Sequence, residues 1–362
     1  MERIDMNYTM ISSLRSVPSV TMFLGMPNDE KENKKYVILL KNMIREVIEE
    51  LEEKYAKNDY EQIIEQLDKI EQEFQPSRAA ESQVFFVSKE YYEQVKLPFV
   101  VESGYHIGAS FTTRKLLRAS NSLMHYYVLA LGAEEARLLE YQNEQLIQEY
   151  KDGHFPLKNK GYWTSDRLLN SMGSVRSNYQ KEFYKLIDSE LQSYINREPH
   201  PIILAGVKEN ISIYQQIANR NDLIIGQING NFTSNQGESN FVIGKKGQQK
   251  IEEYMIEQDR ILLSGLEAYE NKDRLEQDLS MIYRLATHGR GQQLVVDEDY
   301  YQEAVIEHGS INIDSVDTMM PGYTEDVVNE IIYHVMRYGG AVHFTKAARM
   351  GAYMPIVLKL RY

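Results

Sequence analysis

Apolar and polar positions change their spacing several times along the chain, and each change predicts an element. Ser19-Val20-Thr21-Met22-Phe23-Leu24 follows Pro18 and is closed by Gly25 and Pro27, which predicts a first core strand. From Val37 the apolar residues recur at Leu40, Ile44, Val47, Ile48, Leu51 and Tyr55. After Lys57-Asn58-Asp59 the spacing restarts at Tyr60, Ile63, Ile64, Leu67, Ile70 and Phe74. This helical period, repeated, predicts two antiparallel helices. The stripe also suits a coiled-coil seam, but it lasts under three heptads per helix, so packing against the domain's own sheet is the reading adopted. Residues 83–88, 97–101 and 105–110 predict short strands, and 112–122 a helix or linker ending near a domain boundary at 122.

The next block opens with an apolar run at 126–131, the turn Gly132-Ala133-Glu134-Glu135, and strand patterns at 136–141 and 144–150. Tyr179, Phe183, Leu186, Ile187, Leu191 and Tyr194 then carry a helical period over 175–196. A fully apolar strand at 201–207, a helix at 209–218 and a strand at 222–228 follow. Three meandering strands and then α-β-α-β make an RNase H-like order. The polar stretch 229–239 reads as loop, and helical spacing runs from about 246 towards 286 with a break near 265–272. The rest predicts a helix at 273–287, a strand at 292–296, a loop through Met319-Met320-Pro321-Gly322, a helix at 325–338 and strands at 341–344 and 356–360. The fold class is therefore α/β (α+β) in three domains: an N-terminal α/β domain with a helical hairpin at 1–122, an RNase H-like middle domain at 123–268, and a small C-terminal α/β sandwich at 269–362.

Composition narrows the chemistry. At 362 residues with 43% hydrophobic and 26% charged content, the chain has material for several packed cores. It contains no cysteine, which excludes disulfide scaffolds, thiolate metal sites and cysteine nucleophiles and fits a reducing compartment. The start, MERIDMNYTM, lacks the basic and apolar regions of a signal peptide, and no run approaches the ~20 apolar residues of a membrane span. A cytoplasmic protein without membrane contact is expected. The net charge of −13 is opposite to that of a protein held mainly by phosphates, so no DNA partner is expected and any RNA contact must be local. One positive island exists: Lys151, Lys158, Lys160, Arg167, Arg176, Lys181 and Lys185 stand against Asp152, Asp166 and Glu182, giving +4 over 151–185. Within it Lys158, Lys160, Arg167 and Arg176 surround Tyr162 and Trp163. Cations for phosphates beside aromatic faces for bases are the means by which unpaired RNA is bound; the alternative is a surface loop whose Trp163 folds back onto its domain.

Several chemistries lack their residues. The chain has no phosphate-binding P-loop, no H-E-x-x-H zinc helix and no G-x-S-x-G elbow. Its eight histidines are dispersed with no pair at ligand spacing on one helix, and the run 126–131 carries none of the carboxylates a two-metal nuclease requires. No catalytic group, metal or cofactor is assigned. Thr287-His288-Gly289-Arg290-Gly291-Gln292-Gln293 reads as a helix stop leading into a strand, and Gly339-Gly340 likewise. The lysines of Gly244-Lys245-Lys246-Gly247 read as solvated rather than phosphate-bound.

Taken in order, these blocks resemble the archaeo-eukaryotic peptide chain release factors and their Pelota relatives, in the bacterial branch of that superfamily. The resemblance rests on SVTMFLGMP at 19–27, LLKNMIREVIEEL at 39–51, HYYVLALGAEEARLLEY at 125–141, PIILAGVKENISIYQQIA at 201–218, ATHGRGQQLVVDED at 286–299 and the ending YGGAVHFTKAARMGAYMPIVLKLRY. It implies an N-terminal α/β domain, an RNase H-like middle domain, an L7Ae-like C-terminal domain and docking in the ribosomal A site. In release factors a Gly-Gly-Gln loop between the third strand and first helix of the middle domain helps water hydrolyse peptidyl-tRNA. Residues 151–175 take that position here and contain no Gly-Gly-Gln, while GRGQQ at 289–293 falls in the third block.

The expectation is a non-hydrolytic ribosome-binding factor for rescue, quality control or protection of stalled or idle ribosomes. Lys158, Lys160, Tyr162, Trp163, Arg167 and Arg176 would contact ribosomal RNA. One alternative is a peptidyl-tRNA hydrolase using Gln180 or Ser174 to position water. Another is an interaction module working with a translational GTPase or other partner, with Met319, Met320 and Tyr323 as contacts. A tRNA-like shape favours a monomer.

Overall fold

The computed structural model describes residues 10–11, 13–27, 33–76, 80–97, 100–122, 124–159, 172–233, 237–314, 316, 320 and 322–362. Its architecture is α/β, in two compact units: Met1–Ser122 together with Leu263–Tyr362, and Leu123–Leu262. Among the described residues no helix is long and apolar enough to cross a membrane.

The first unit begins with β1 (Arg15–Gly25), followed by helices α1 (Asn33–Lys54) and α2 (Lys57–Glu73) and strands β2 (Ser82–Ser88), β3 (Tyr92–Leu97) and β4 (Gly104–Ser110). The sheet order is β3-β2-β1-β4, and every neighbouring pair is antiparallel. Val20, Met22 and Leu24 of β1 share one core with Leu40, Ile44 and Val47 of α1 and Ile63, Leu67 and Ile70 of α2, so the helical stripes cover their own sheet. The strand expected at 97–101 is instead β3, which ends where that segment begins. As the outer strand it has one neighbour, and its alternating exposed pattern carries too few apolar residues to announce it. A short helix, α3 (Arg114–Ser122), closes this part.

The second unit runs through β5 (His125–Leu131), β6 (Glu135–Gln142), β7 (Gln145–Glu149), β8 (Leu157–Lys158), α4 (Met172–Ile195), β9 (Ile202–Gly206), α5 (Lys208–Gln215) and β10 (Ile224–Asn229). Helix α6 (Asn240–Glu270) follows. The strands order as β10-β9-β5-β6-β7. β5, β6 and β7 are antiparallel, while β9 and β10 run parallel to β5. β5 is buried on both faces: Tyr127, Leu129 and Leu131 pack with Tyr184, Ile187 and Leu191 of α4, and Tyr126, Val128 and Ala130 with Ile243 and Ile251 of α6. The glycines of 244–247 serve this second contact. A Cβ on Gly247 would lie 2.5 Å from the Tyr126 hydroxyl, and one on Gly244 would lie 2.3 Å from the Glu144 carbonyl oxygen. Lys246 between them bonds Glu238 at 2.6 Å.

The remainder of the first unit comprises β11 (Leu275–Glu276), α7 (Leu279–Thr287), β12 (Gly291–Asp297), β13 (Ala304–Glu307), β14 (Ser310–Asn312) and β15 (Tyr323–Thr324). Helix α8 (Val327–Arg337), β16 (Ala341–Thr345), α9 (Ala347–Met350) and β17 (Ile356–Leu360) complete it. One sheet orders as β11-β17-β12-β16 and a smaller one as β14-β13-β15. The stretch expected to be loop before 322 thus contains two strands of three or four residues, too short to show a period. Gly289 adopts φ +71° after α7, and its N–H donates to the Ala286 carbonyl at 2.9 Å, so the glutamine-rich string is a helix stop leading into β12.

Helix α3 is no free linker. Leu117 is buried in the core of α7, α8 and β12. Arg114 donates to Asp326 Oδ2 at 3.0 Å and to the Asp297 and Glu298 carbonyls at 3.2 and 3.3 Å. The backbone N–H groups of Thr113 and Arg114 both donate to Asn329 Oδ1 at 3.2 Å. Removing one member of such a sequestered pair leaves the other charge without compensation. Arg114→Ala should therefore lower the protection of α3 and α8 amides by about 3 kcal/mol. Arg118→Ala, whose partners Glu298 and Asp299 are more accessible, should cost less than about 1 kcal/mol. Native-state hydrogen exchange measures both, and equal effects would refute this ranking.

Candidate functional site

The segment between β7 and α4 is built from its ends inward. At its start the Asp152 carboxylate accepts from the backbone N–H groups of His154 and Phe155 at 3.1 and 3.3 Å and from the Tyr194 hydroxyl of α4 at 2.6 Å. His154 Nδ1 lies 2.6 Å from Glu190 Oε2, one turn before Tyr194. Phe155 is fully buried in the α4 face of the sheet. The chain then adds β8 to the edge of β6, pairing Leu157 with Ala136 and Lys158 with Glu135. The Asn159 N–H donates to the Glu134 carbonyl at 2.8 Å, and its side-chain amide donates to that of Ala133 at 3.2 Å. The segment thus leaves the sheet beside the β5–β6 turn.

That turn is itself held. Tyr184 Oη donates to the Gly132 carbonyl at 3.3 Å, and Asn210 Nδ2 donates to that of Leu131 at 3.2 Å. Gln180 Nε2 donates to Tyr184 Oη at 3.0 Å and to Asn210 Oδ1 at 2.7 Å. The amide considered for positioning water therefore spends both N–H groups on the scaffold. Ser174 lies in the first turns of α4, and its side chain is outside the described residues.

Of the RNA-contact candidates, Lys158 is exposed on β8 and, among the described residues, pairs with no carboxylate. Lys160, Tyr162, Trp163 and Arg167 lie outside the described residues; Arg176 sits on α4, with its side chain likewise outside them. Of the partner-contact candidates, Met319 lies outside the described residues. Met320 and Tyr323 line a cleft of about 1790 Å³ in the first unit, between β4 and α8. Its floor is charged: Glu330 meets Arg15 at 2.9 Å and accepts from the Ser110 hydroxyl at 2.7 Å, while Glu325 meets His106 at 2.7 Å. The hydrogen bond from His106 holds the Glu325 carboxyl below its ordinary value. Met320 is exposed and Tyr323 half-buried.

Among the described residues, His125, Glu140 and His200 form a group able to offer three ligand atoms to a metal ion. Sequence spacing does not reveal it, since one residue comes from each of three adjacent strands or their ends. The signal is in the register: Tyr127 faces Glu140 across the β5–β6 pair and Ile202 across the β5–β9 pair, which sets His200 beside His125.

The Asp152 tether has a defined pH dependence. The Tyr194 hydrogen bond is the main cause holding the Asp152 carboxyl below its usual value of 3.8. A depressed carboxylate contributes stability that is full above its unfolded value and is lost as pH falls through the folded one. Tyr194→Phe should return Asp152 towards its ordinary titration and speed amide exchange at His154 and Phe155 about fivefold, equivalent to about 1 kcal/mol for the lost bond. Carboxyl NMR titration with hydrogen exchange tests this; an unshifted Asp152 would refute it.

Residues 125–290 match the model of bacterial archaeo-eukaryotic release factor family 3. No curated protein matches the chain in sequence. Among solved structures, S. cerevisiae Dom34, a translation termination-like factor involved in RNA quality control pathways, is 14% identical, covering 77% of this chain and 79% of that one, with a TM-score of 0.42. An archaeal Pelota, in a model of its ribosome-bound form with ABCE1, is also 14% identical, covering 77% and 78%, with a TM-score of 0.41. Archaeoglobus fulgidus Pelota is 13% identical, covering 78% and 79%, with a TM-score of 0.35. Over residues 125–290, somewhat under half of its length, the chain is thus similar to the bacterial branch of the archaeo-eukaryotic release factors.

Proposed function

We propose that the protein is a release-factor-like, non-hydrolytic ribosome-binding factor acting in ribosome rescue, translational quality control or protection of stalled or idle ribosomes. The observation that carries this reading is the segment between β7 and α4. It occupies the place of the release-factor Gly-Gly-Gln loop without that motif, and its base is fixed to α4 and to the β5–β6 turn with Lys158 exposed. A fixed base lowers the entropy lost when the segment meets a target. In this reading Lys158, Lys160, Tyr162, Trp163, Arg167 and Arg176 meet ribosomal RNA, and the net charge of −13 limits attachment to RNA elsewhere. The domains divide at 1–122, 123–268 and 269–362, with RNase H-like and L7Ae-like folds for the second and third. The protein acts as a monomer in the cytoplasm, and Met319, Met320 and Tyr323 are contacts for a translational GTPase or another partner.

Sucrose-gradient sedimentation on vacant and stalled ribosomes tests the reading. Wild-type protein should co-migrate with ribosomes. A Lys158→Glu, Lys160→Glu, Trp163→Ala variant should bind at least about tenfold more weakly and respond less to salt, as expected when phosphate contacts are removed. Neither should release peptide from loaded ribosomes. Wild-type protein that stays at the top of the gradient under every condition refutes ribosome binding, and peptide release refutes the non-hydrolytic assignment.

A further inference from the structure

At the opposite end of β5 from the β5–β6 turn, three side chains converge on the sheet face that carries Tyr127. His125 begins β5, Glu140 lies opposite Tyr127 on β6, and His200 precedes β9. The Tyr127 N–H donates to the Pro201 carbonyl at 2.8 Å, which holds the approach to β9 alongside β5. One donor atom from each of the three side chains lies within 4.8 Å of those from the other two, and His125 Nδ1 is 3.7 Å from Glu140 Oε1. Four-coordinate zinc with bonds of ~2.0–2.1 Å separates its ligand atoms by about 3.4 Å, so modest side-chain rotations complete the geometry.

The surroundings are those of a ligand set. Glu140 is 6% exposed. Its Oε2 accepts from the Tyr150 hydroxyl at 2.8 Å and from the Gln148 amide at 3.0 Å, which orients Oε1 towards His125. Among the described residues no lysine or arginine pairs with this buried carboxylate. Glu198 Oε2 lies 3.2 Å from His200 Nε2 and accepts from it, which leaves His200 Nδ1 for a ligand. The Gln142 amide nitrogen lies 2.6 Å from His125 Nε2; turning that amide over presents Oε1 to accept from Nε2–H and frees His125 Nδ1, which faces Glu140, for a ligand. Metal-binding imidazoles are commonly oriented by such outer contacts, and buried carboxylates are paired or bound to metal.

We propose that His125, Glu140 and His200 bind a divalent transition metal of the zinc class. Two imidazoles and one carboxylate suit zinc and its late first-row neighbours rather than magnesium or calcium, which prefer all-oxygen shells. The ion clamps β5, β6 and β9 at one end and keeps an open coordination position, since both histidines reach solvent. The inference is independent of ribosome binding.

The test uses the full-length protein after EDTA treatment, titrated with ZnCl2 by calorimetry and with CoCl2 by visible absorption. One equivalent of Zn2+ should bind and raise the melting temperature, and Co2+ should give the d–d bands of a low-coordinate nitrogen and oxygen site. A His125→Gln, His200→Asn double variant should lose this binding, and Gln142→Leu should weaken it about tenfold by freeing the His125 ring. Circular dichroism of each metal-free variant establishes that it folds; should the double variant not fold, His200→Asn alone carries the test. Failure of wild-type protein to bind either ion overturns the proposal, as does binding unchanged in the folded variants.

Discussion

The two-sided burial of β5 is the constraint on which the second unit depends. Tyr126, Tyr127, Val128, Leu129, Ala130 and Leu131 are all nearly inaccessible, with alternate residues committed to opposite cores. A one-residue slip would exchange those faces and turn Tyr127 and Leu129 away from α4, so packing alone specifies the register. Register in turn decides what stands at each end of the strand, about 20 Å apart at the usual rise per residue. At one end are the Gly132 turn and the base of the segment between β7 and α4. At the other are His125, Glu140 and His200.

Around this strand, polar groups settle the details that burial leaves open. Arg137 ties β6 to Glu149 of β7 at 2.8 Å and to the Phe232 carbonyl and Asn240 before and within α6 at 2.6 and 2.7 Å. Asp188 of α4 accepts from the Tyr214 hydroxyl of α5 at 3.0 Å and from the Asn219 amide at 2.5 Å. Each of these bonds contributes only modestly to stability. Each also satisfies a group whose desolvation would otherwise be costly, so the helices have one low-energy placement over the sheet.

What could be read from the sequence follows from how local each signal is. β5, β12 and α8 are legible because burial writes a continuous apolar run or a 3.6-residue period into neighbouring positions. β3 is an outer strand and β13 to β15 are two to four residues long, so their patterns fall below the length at which a period can be seen. The positive island is visible by counting charges, but the support beneath Lys158 is not. Asp152 and Tyr194, like Arg114 and Asn329, meet only after the chain has folded, and no spacing rule links them. His125 and His200 are hidden for the same reason: a histidine pair on one helix shows in the sequence, whereas a pair on parallel strands shows only once the register is known.

The distribution of cations completes the physical picture. Several of the described arginines are neutralised nearby: Arg114, Arg118, Arg137, Arg220 and Arg260 each meet a carboxylate within 3.4 Å. The arginines of α3 are spent on holding α3 to the strands and helix that follow α6. A lysine on a short edge strand, backed by a pinned loop base, keeps its charge available because its neighbours satisfy one another instead. Local attraction for phosphate can therefore coexist with a repulsive field from the whole molecule. Such a charge arrangement favours contacts that are geometrically specific over general adhesion to nucleic acid.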